Sequence, residues 1–431
     1  MAEYFRRRDP SRLVHYEGIF NKRLHDGAEY DKKYERTSDM ESRMYAKVSD
    51  IEEYLNNNPE KPYISCEYMH SMGNSTGGMN KYTALEDKYP MYQGGFIWDY
   101  VDQALYRILP DGTKALGYGG DFTDRPCDYN FSGDGILYAD RTISPKVQEV
   151  KYLYSNVKIN VDENGVLVKN ENLFISTSEY DFYYNIEKDG NVLSEGKVHV
   201  DIAPGKEKYM EIPFDDIMKN FTENGEYIYN VSMKLKDDTL YAQKGFELSY
   251  GQYVFEQNIE KNNEESHDSK FKIVHGDVNV AVHGRNFKVI FSKQEGGIVS
   301  LRYSDKEYIT SVPKTYYYRA ETDNDRGNKY GFRCAQWFGA SIGQRYCDFN
   351  VVEKENYLEL HYTYELPTIP ATKVNITYVV KEDGVINVTV KYNGVEGLPE
   401  LPLLAMNFKL RSEFNKFTYY GYGPDENYID I

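Results

Sequence analysis

Along the first 150 or so positions, apolar residues gather into short runs at 13–17, 44–46, 63–67 and 94–99, separated by longer segments with helical spacing. Each run closes on a polar or charged residue and opens into a loop rich in Gly, Ser or Asn. Strand and helix in turn predict a parallel α/β unit, a class of fold that displays its chemistry where the strands end. Four such strands make half of an eight-stranded barrel.

From residue 155 to 250 the period changes to strict alternation, as in Val166-Leu167-Val168, 180–186 and 227–233, interrupted by Asn-Gly and Asp-Gly pairs. Such pairs favour tight hairpins, and about a hundred residues of short strands fit an immunoglobulin-like β-sandwich. Residues 251–270, with a charged stretch at 256–270, hold too few apolar side chains to pack and read as a linker. Alternation returns over 271–431, in Phe287-Lys288-Val289-Ile290-Phe291 and 385–390, with turns at Gly296-Gly297 and Asp383-Gly384. The segment 417–427 reads as a strand entering a loop with no partner strand after it, so an incomplete second β domain is expected. The predicted organisation is therefore an α/β unit at 1–154, a sandwich at 155–250, a linker at 251–270 and a β domain at 271–431.

Composition narrows the function. A length of 431 residues exceeds one ordinary core, in keeping with several domains. No apolar run is long enough to span a bilayer and no signal-like start is present, which predicts a cytoplasmic product without membrane contact. The formal charge of −17 repels phosphate backbones, so nucleic acid is not an expected partner and neutral ligands are. The four cysteines, Cys66, Cys127, Cys334 and Cys347, lack CxxC spacing and read as reduced thiols. The 43 tyrosines suit strands first and sugar stacking second.

Three side chains at strand ends are candidates for chemistry. Glu67 closes Tyr63-Ile64-Ser65-Cys66 and precedes a loop of small residues, a placement that serves a catalytic carboxylate or a plain ion pair. Trp98 closes the next strand, where an indole stacks on a pyranose or fills a core. His70 offers a ring nitrogen to sugar hydroxyls or to backbone groups. The glycines of 119–126 match neither GxGxxG nor a Walker loop.

Several segments together resemble the β-galactosidases of glycoside hydrolase family 2, the large bacterial lactases. They are Arg8-Asp9-Pro10-Ser11-Arg12, Cys66-Glu67-Tyr68-Met69-His70-Ser71-Met72-Gly73-Asn74-Ser75, Gln93-Gly94-Gly95-Phe96-Ile97-Trp98-Asp99 and Tyr118-Gly119-Gly120-Asp121-Phe122. Further segments are Asp134-Gly135-Ile136-Leu137-Tyr138, Arg319-Ala320-Glu321-Thr322-Asp323-Asn324 and Gly421-Tyr422-Gly423-Pro424-Asp425-Glu426-Asn427. The resemblance is collinear over nearly the whole chain and loosest over 155–270.

The resemblance implies the C-terminal half of a (β/α)8 TIM barrel, an immunoglobulin-like sandwich and a truncated galactose-mutarotase-like β-supersandwich. It also implies a retaining β-galactosidase with Glu67 as nucleophile, Tyr45 donating a hydrogen bond to it, His70 contacting galactose and Trp98 as the aromatic floor. Phe131 and Asp134 match positions near a sodium or potassium ion that contacts the galactose 6-hydroxyl, which places Asp134 among the substrate-binding residues too. The family's acid/base glutamate lies in a Gly-Asn-Glu-Ser strand end that this sequence lacks, and the family's magnesium ligands also fall upstream of Met1. Glu17, Asp99 and Asp121 match family positions other than the acid/base. The expectation is thus a fragment whose parent enzyme is a homo-oligomer acting on galactosides. The competing readings are a non-catalytic chain that complements a separate N-terminal chain, and a carbohydrate-binding module.

Overall fold

The computed structural model describes residues 1–17, 37–219, 221, 223–257 and 271–423. The chain divides into two compact units, one of residues 1–261 with 420–431 and the other of residues 262–419.

The first unit opens with helix α1 (Ala2–Arg8) and then three parallel strands, β1 (Glu41–Met44), β2 (Tyr63–Tyr68) and β3 (Tyr92–Ile97), in the order β1-β2-β3. Helix α2 (Val48–Asn56) joins the first pair and α3 (Asn80–Lys88) the second, the connection that parallel pairing requires. The helices bury Ile51, Leu55 and Leu85 against Tyr63 and Tyr92, forming one small core. Register pairs Met44 with Glu67 and Tyr68 with Ile97, so all three strands finish at the same level.

Two expected strands differ. Residues 13–17 form no strand: the Val14 N–H donates to the Asp39 carboxylate at 2.7 Å and its carbonyl accepts from Asp39 N, so a side chain occupies the bond a neighbouring strand would make. The strand expected at 44–46 runs instead over Glu41–Met44, because Tyr45 turns into the left-handed region with φ of 52°.

A hairpin of β4 (Leu105–Ile108) and β5 (Lys114–Gly117) follows, then helix α4 (Lys146–Leu153). Beyond it two antiparallel sheets share a core. One is β10-β7-β6, from β6 (Val157–Val161), β7 (Gly165–Asn170) and β10 (Lys206–Glu211). The other is β12-β11-β8-β9, from β8 (Tyr180–Lys188), β9 (Asn191–Val198), β11 (Gly225–Leu235) and β12 (Glu247–Gln257), with helix α5 (Phe214–Met218) between β10 and β11. Val166, Val168, Phe182, Ile186, Tyr229 and Val231 fill the space between them. The linker expected from residue 251 is corrected here: residues 251–257 belong to β12, where Tyr253 and Phe255 pair with Tyr229 and Tyr227 and pack on the core. The remainder of that expectation, 258–270, lies outside the described residues.

The second unit is again mostly antiparallel. Strands β13 (Lys272–His275), β14 (Asn279–His283), β15 (Phe287–Ser292), β16 (Gly297–Tyr303) and β17 (Lys306–Glu307) form one sheet in chain order. After β18 (Lys314–Tyr316) come helices α6 (Asp323–Gly327), α7 (Tyr330–Arg333) and α8 (Ala335–Gly343). Strands β19 (Arg345–Glu353), β20 (Tyr357–Leu366), β21 (Thr372–Lys381) and β22 (Ile386–Tyr392) form a second meander, and β23 (Ala405–Asn407) returns to pair with β18. Val282, Val289, Phe291, Leu360, Tyr362 and Ile376 are among the fully covered residues of its core, with Trp337 of α8. The strand expected at 417–427 does not form over 417–423: Phe417 is 88% exposed and Tyr422 80%, so no alternating face is buried. Residues 424–427 lie outside the described residues. Among the described residues no helix is long and apolar enough to cross a membrane.

Candidate functional site

Ends of the three parallel strands bring Tyr45, Glu67 and Trp98 to one rim. At this rim the backbone turns sharply, with Tyr45 and Met69 both at φ of 52°. The Tyr45 hydroxyl donates to Glu67 Oε2 at 2.6 Å, and Tyr45 N donates to the Glu67 carbonyl at 2.9 Å. Burial, reinforced by the Glu67 carboxylate, pushes the Tyr45 phenol above its ordinary range. Tyr45 therefore remains protonated and donates throughout the physiological pH range.

His70 sits between two rings, 5.8 Å from Tyr45 and 5.5 Å from Phe131. Its Nε2 is buried and has no hydrogen-bond partner, which leaves a polar atom for a ligand hydroxyl. Trp98 is about one-third exposed at 36%, and its indole N–H donates to Asp134 Oδ2 at 2.9 Å. Asp134 is itself buried, and its other oxygen, Oδ1, has no partner. A buried carboxylate oxygen left open is costly unless a cation or a hydroxyl meets it. Phe131 lies on a 3-10 turn, Tyr129–Ser132, with its side chain 58% exposed and its ring against His70.

Three features around the site escaped the sequence reading. Residues 134–136 are tied to the end of β3: Asp99 N donates to the Asp134 carbonyl at 2.7 Å and Ile136 N to the Asp99 carbonyl at 3.0 Å. Gly135 permits this, since a Cβ there would lie 2.1 Å from Asp102 N. Lys146, the buried first residue of α4, donates through Nζ to the Ser71 carbonyl, while Ser71 N donates to the Trp98 carbonyl at 2.8 Å. A lysine 75 positions from its acceptor carries no sequence signal. Of the other carboxylates weighed, Asp121 instead pairs with Arg107, and Asp99 accepts from Gln103 and from Tyr100 N. All four cysteines are free.

Among the described residues no group of three or more His, Cys, Asp or Glu is arranged to hold a metal ion. Asp134 Oδ1 is a buried hard oxygen without a hydrogen-bond partner.

Comparison with known proteins agrees along the length of the chain. Residues 1–159 match the TIM barrel domain of the family 2 glycosyl hydrolases, residues 166–256 match domain 4 of β-galactosidase, and residues 283–431 match the β-galactosidase small chain. A β-galactosidase of Clostridium acetobutylicum is 61% identical over 430 residues, covering 100% of this chain and 46% of that protein. One from Halalkalibacterium halodurans is 48% identical over 434 residues, covering 100% of this chain and 42% of its own length. A β-galactosidase large subunit of Latilactobacillus sakei is 53% identical over 160 residues, 37% of this chain and 24% of that one. The chain thus spans less than half the length of the curated relatives it matches. Three consecutive matches, with identity sustained over the whole chain, make it a member of the family 2 glycosyl hydrolases, within their β-galactosidase branch.

Proposed function

We propose that this chain carries the nucleophile side of a retaining β-galactosidase that hydrolyses terminal β-D-galactosyl residues of lactose-like substrates. The observation that carries the reading is the Glu67 carboxylate at a barrel-strand end, held by the Tyr45 hydroxyl and opening onto Trp98 and an unpartnered His70 nitrogen. In the first step a Glu67 oxygen bonds to the anomeric carbon. The glycosidic oxygen departs with the bonding electrons and takes a proton from the general acid. In the second step water attacks the anomeric carbon, gives its proton to the same group, and frees galactose and the Glu67 carboxylate. The general acid is assigned to a glutamate outside residues 1–431, on a further segment of the parent protein or on a complementing chain.

Trp98 supports the apolar face of the sugar, and Asp134 serves the sugar hydroxyls through Oδ1. Where a sodium or potassium ion is bound, Asp134 Oδ1 and the Phe131 carbonyl would hold it, supplying fixed positive charge near the sugar. Any magnesium of the parent enzyme is assigned to ligands outside this chain. The two-sheet segment at 155–250 is assigned an immunoglobulin-like fold and 271–431 a galactose-mutarotase-like supersandwich. The large-subunit name of the Latilactobacillus relative supports an enzyme assembled from more than one chain, and the parent is proposed to be a homo-oligomer.

The test uses a 2-deoxy-2-fluoro-β-galactoside carrying a dinitrophenolate leaving group, which departs without acid assistance. Incubation with the chain followed by peptide mapping should place the label on Glu67, and Glu67→Gln should take up none. Label on another carboxylate overturns the assignment.

A further inference from the structure

The outer face of the β12-β11-β8-β9 sheet carries a polar row that the proposed reaction does not use. Register aligns Glu195, Asn185, Asn230 and Gln252 on neighbouring strands. Asn230 donates to the Asn185 side-chain oxygen at 2.8 Å, and Gln252 donates to the Asn230 side-chain oxygen at 2.9 Å. Beside this row runs a second one, Lys197, Tyr183, Ser232 and Tyr250, with the Lys197 ammonium 5.6 Å from the Tyr183 ring.

Each end of the row opens into a concavity. Towards β9 a groove of about 480 Å³ is lined by Tyr183, Asn185, Glu195, Lys197 and Asn230. Towards β12 a cleft of about 380 Å³ lies between α4 and the sheet, lined by Glu149, Tyr152, Asn160, Tyr250 and Gln252. Gly251 also lines it, and β12 approaches β6 closely there, since a Cβ would come within 2.2 Å of the Ile159 carbonyl. Tyr152 and Tyr250 meet with ring centres 5.4 Å apart. Glu149, half-buried with no hydrogen bond or ion pair among the described residues, has its carboxyl pushed above the usual range by that burial.

We propose that this face binds a neutral oligosaccharide, with one sugar seated in the Tyr152–Tyr250 cleft and the chain continuing along the amide row towards Tyr183. Amides and a carboxylate beside aromatic rings are the donor, acceptor and stacking set that hydroxyl-rich rings need, and both volumes lie in the usual range for ligand sites. At about 4.8 Å per strand the four strands span about 14 Å, enough for a short oligosaccharide. The net charge of −17 favours a neutral chain over an anionic one. Within that class a β-galactan is the expected ligand, a choice that rests on the proposed function, whereas the existence of the surface does not.

Calorimetric titration of the chain with β-1,4-galactotetraose, cellotetraose and xylotetraose tests this, on a Trp98→Ala background that removes the floor of the proposed active site. A tetraose should still bind, and adding Tyr250→Ala should weaken it at least tenfold, about 1.4 kcal/mol. Gln252→Ala, a milder change at an exposed position, should weaken it severalfold while leaving the melting temperature in place. Tyr250-dependent binding of cellotetraose or xylotetraose in place of galactotetraose upholds the surface and counts against the galactoside reading. Binding that survives Tyr250→Ala and Gln252→Ala, or no tetraose binding at millimolar concentration by folded protein, overturns the inference.

Discussion

The Tyr45 hydroxyl and the Glu67 carboxylate meet at 2.6 Å across adjacent parallel strands, and the Tyr45 N–H closes a second bond to the Glu67 carbonyl. The pair therefore sets both the direction of the carboxylate and the level of the backbone behind it. A hydrogen bond to a charged group is worth about 1.5–3 kcal/mol. Tyr45→Phe keeps the ring against His70 and removes only the donor, so the rate of Glu67 labelling should fall about ten- to a hundredfold with an unchanged far-ultraviolet spectrum. A rate equal to that of the unmodified chain would leave Tyr45 without the positioning role.

Asp134 offers one oxygen to the Trp98 indole and keeps one open. Asp134→Asn retains an acceptor for the indole and removes the negative charge. Labelling of the unmodified chain should quicken when sodium or potassium replaces a bulky organic cation at constant ionic strength, and the variant should lose that response. An equal response in both would remove Asp134 from any cation site.

Gly135 fits where a Cβ would collide with Asp102 N. Gly135→Ala should cost about 1–3 kcal/mol, the usual penalty of overpacking. Because residues 134–136 are tied to Asp99, it should also dull the change in Trp98 fluorescence on adding galactose. Thermal melts and fluorescence titration check the two effects separately.

Glu41 is buried at the start of β1, and burial raises its carboxyl above the usual range although Arg43 at 2.9 Å opposes the shift. A folded-state value above the unfolded one means that the folded chain holds the proton more tightly. The associated stability is complete below the unfolded value of 4.5 and is lost as the pH climbs through the folded one. Urea denaturation of the wild type against Glu41→Gln should show the difference in stability moving in favour of the variant across that rise. A difference independent of pH would contradict it.

The strands at Glu67 and Trp98 were legible to within one residue from their compact apolar runs, Glu67 lying one position before the end of β2 and Trp98 one position after the end of β3. The same rule misled at 13–17, where Asp39 supplies the bonds a neighbouring strand would have made. Charge misled at 251–257, since exposed Glu256 hides the inward Tyr253 and Phe255 on alternate positions of β12. At 417–423 the expected strand is missing, and no buried face exists for its aromatic side chains. The Trp98–Asp134 hydrogen bond and the Lys146–Ser71 contact join residues far apart in the chain, and local pattern holds no trace of either. The roles expected of Tyr45, Phe131 and Asp134 rest on family resemblance, with no local pattern behind them.

Helix α4 begins at Lys146, clasped to the loop that follows Glu67, and two turns later presents Lys151 and Tyr152 to Glu247 and Tyr250 of β12. This eight-residue helix thus has one end on the loop that follows Glu67 and the other on the sheet. A displacement of the far end would therefore bear on the Ser71 carbonyl through Lys146, and so on the loop that follows Glu67.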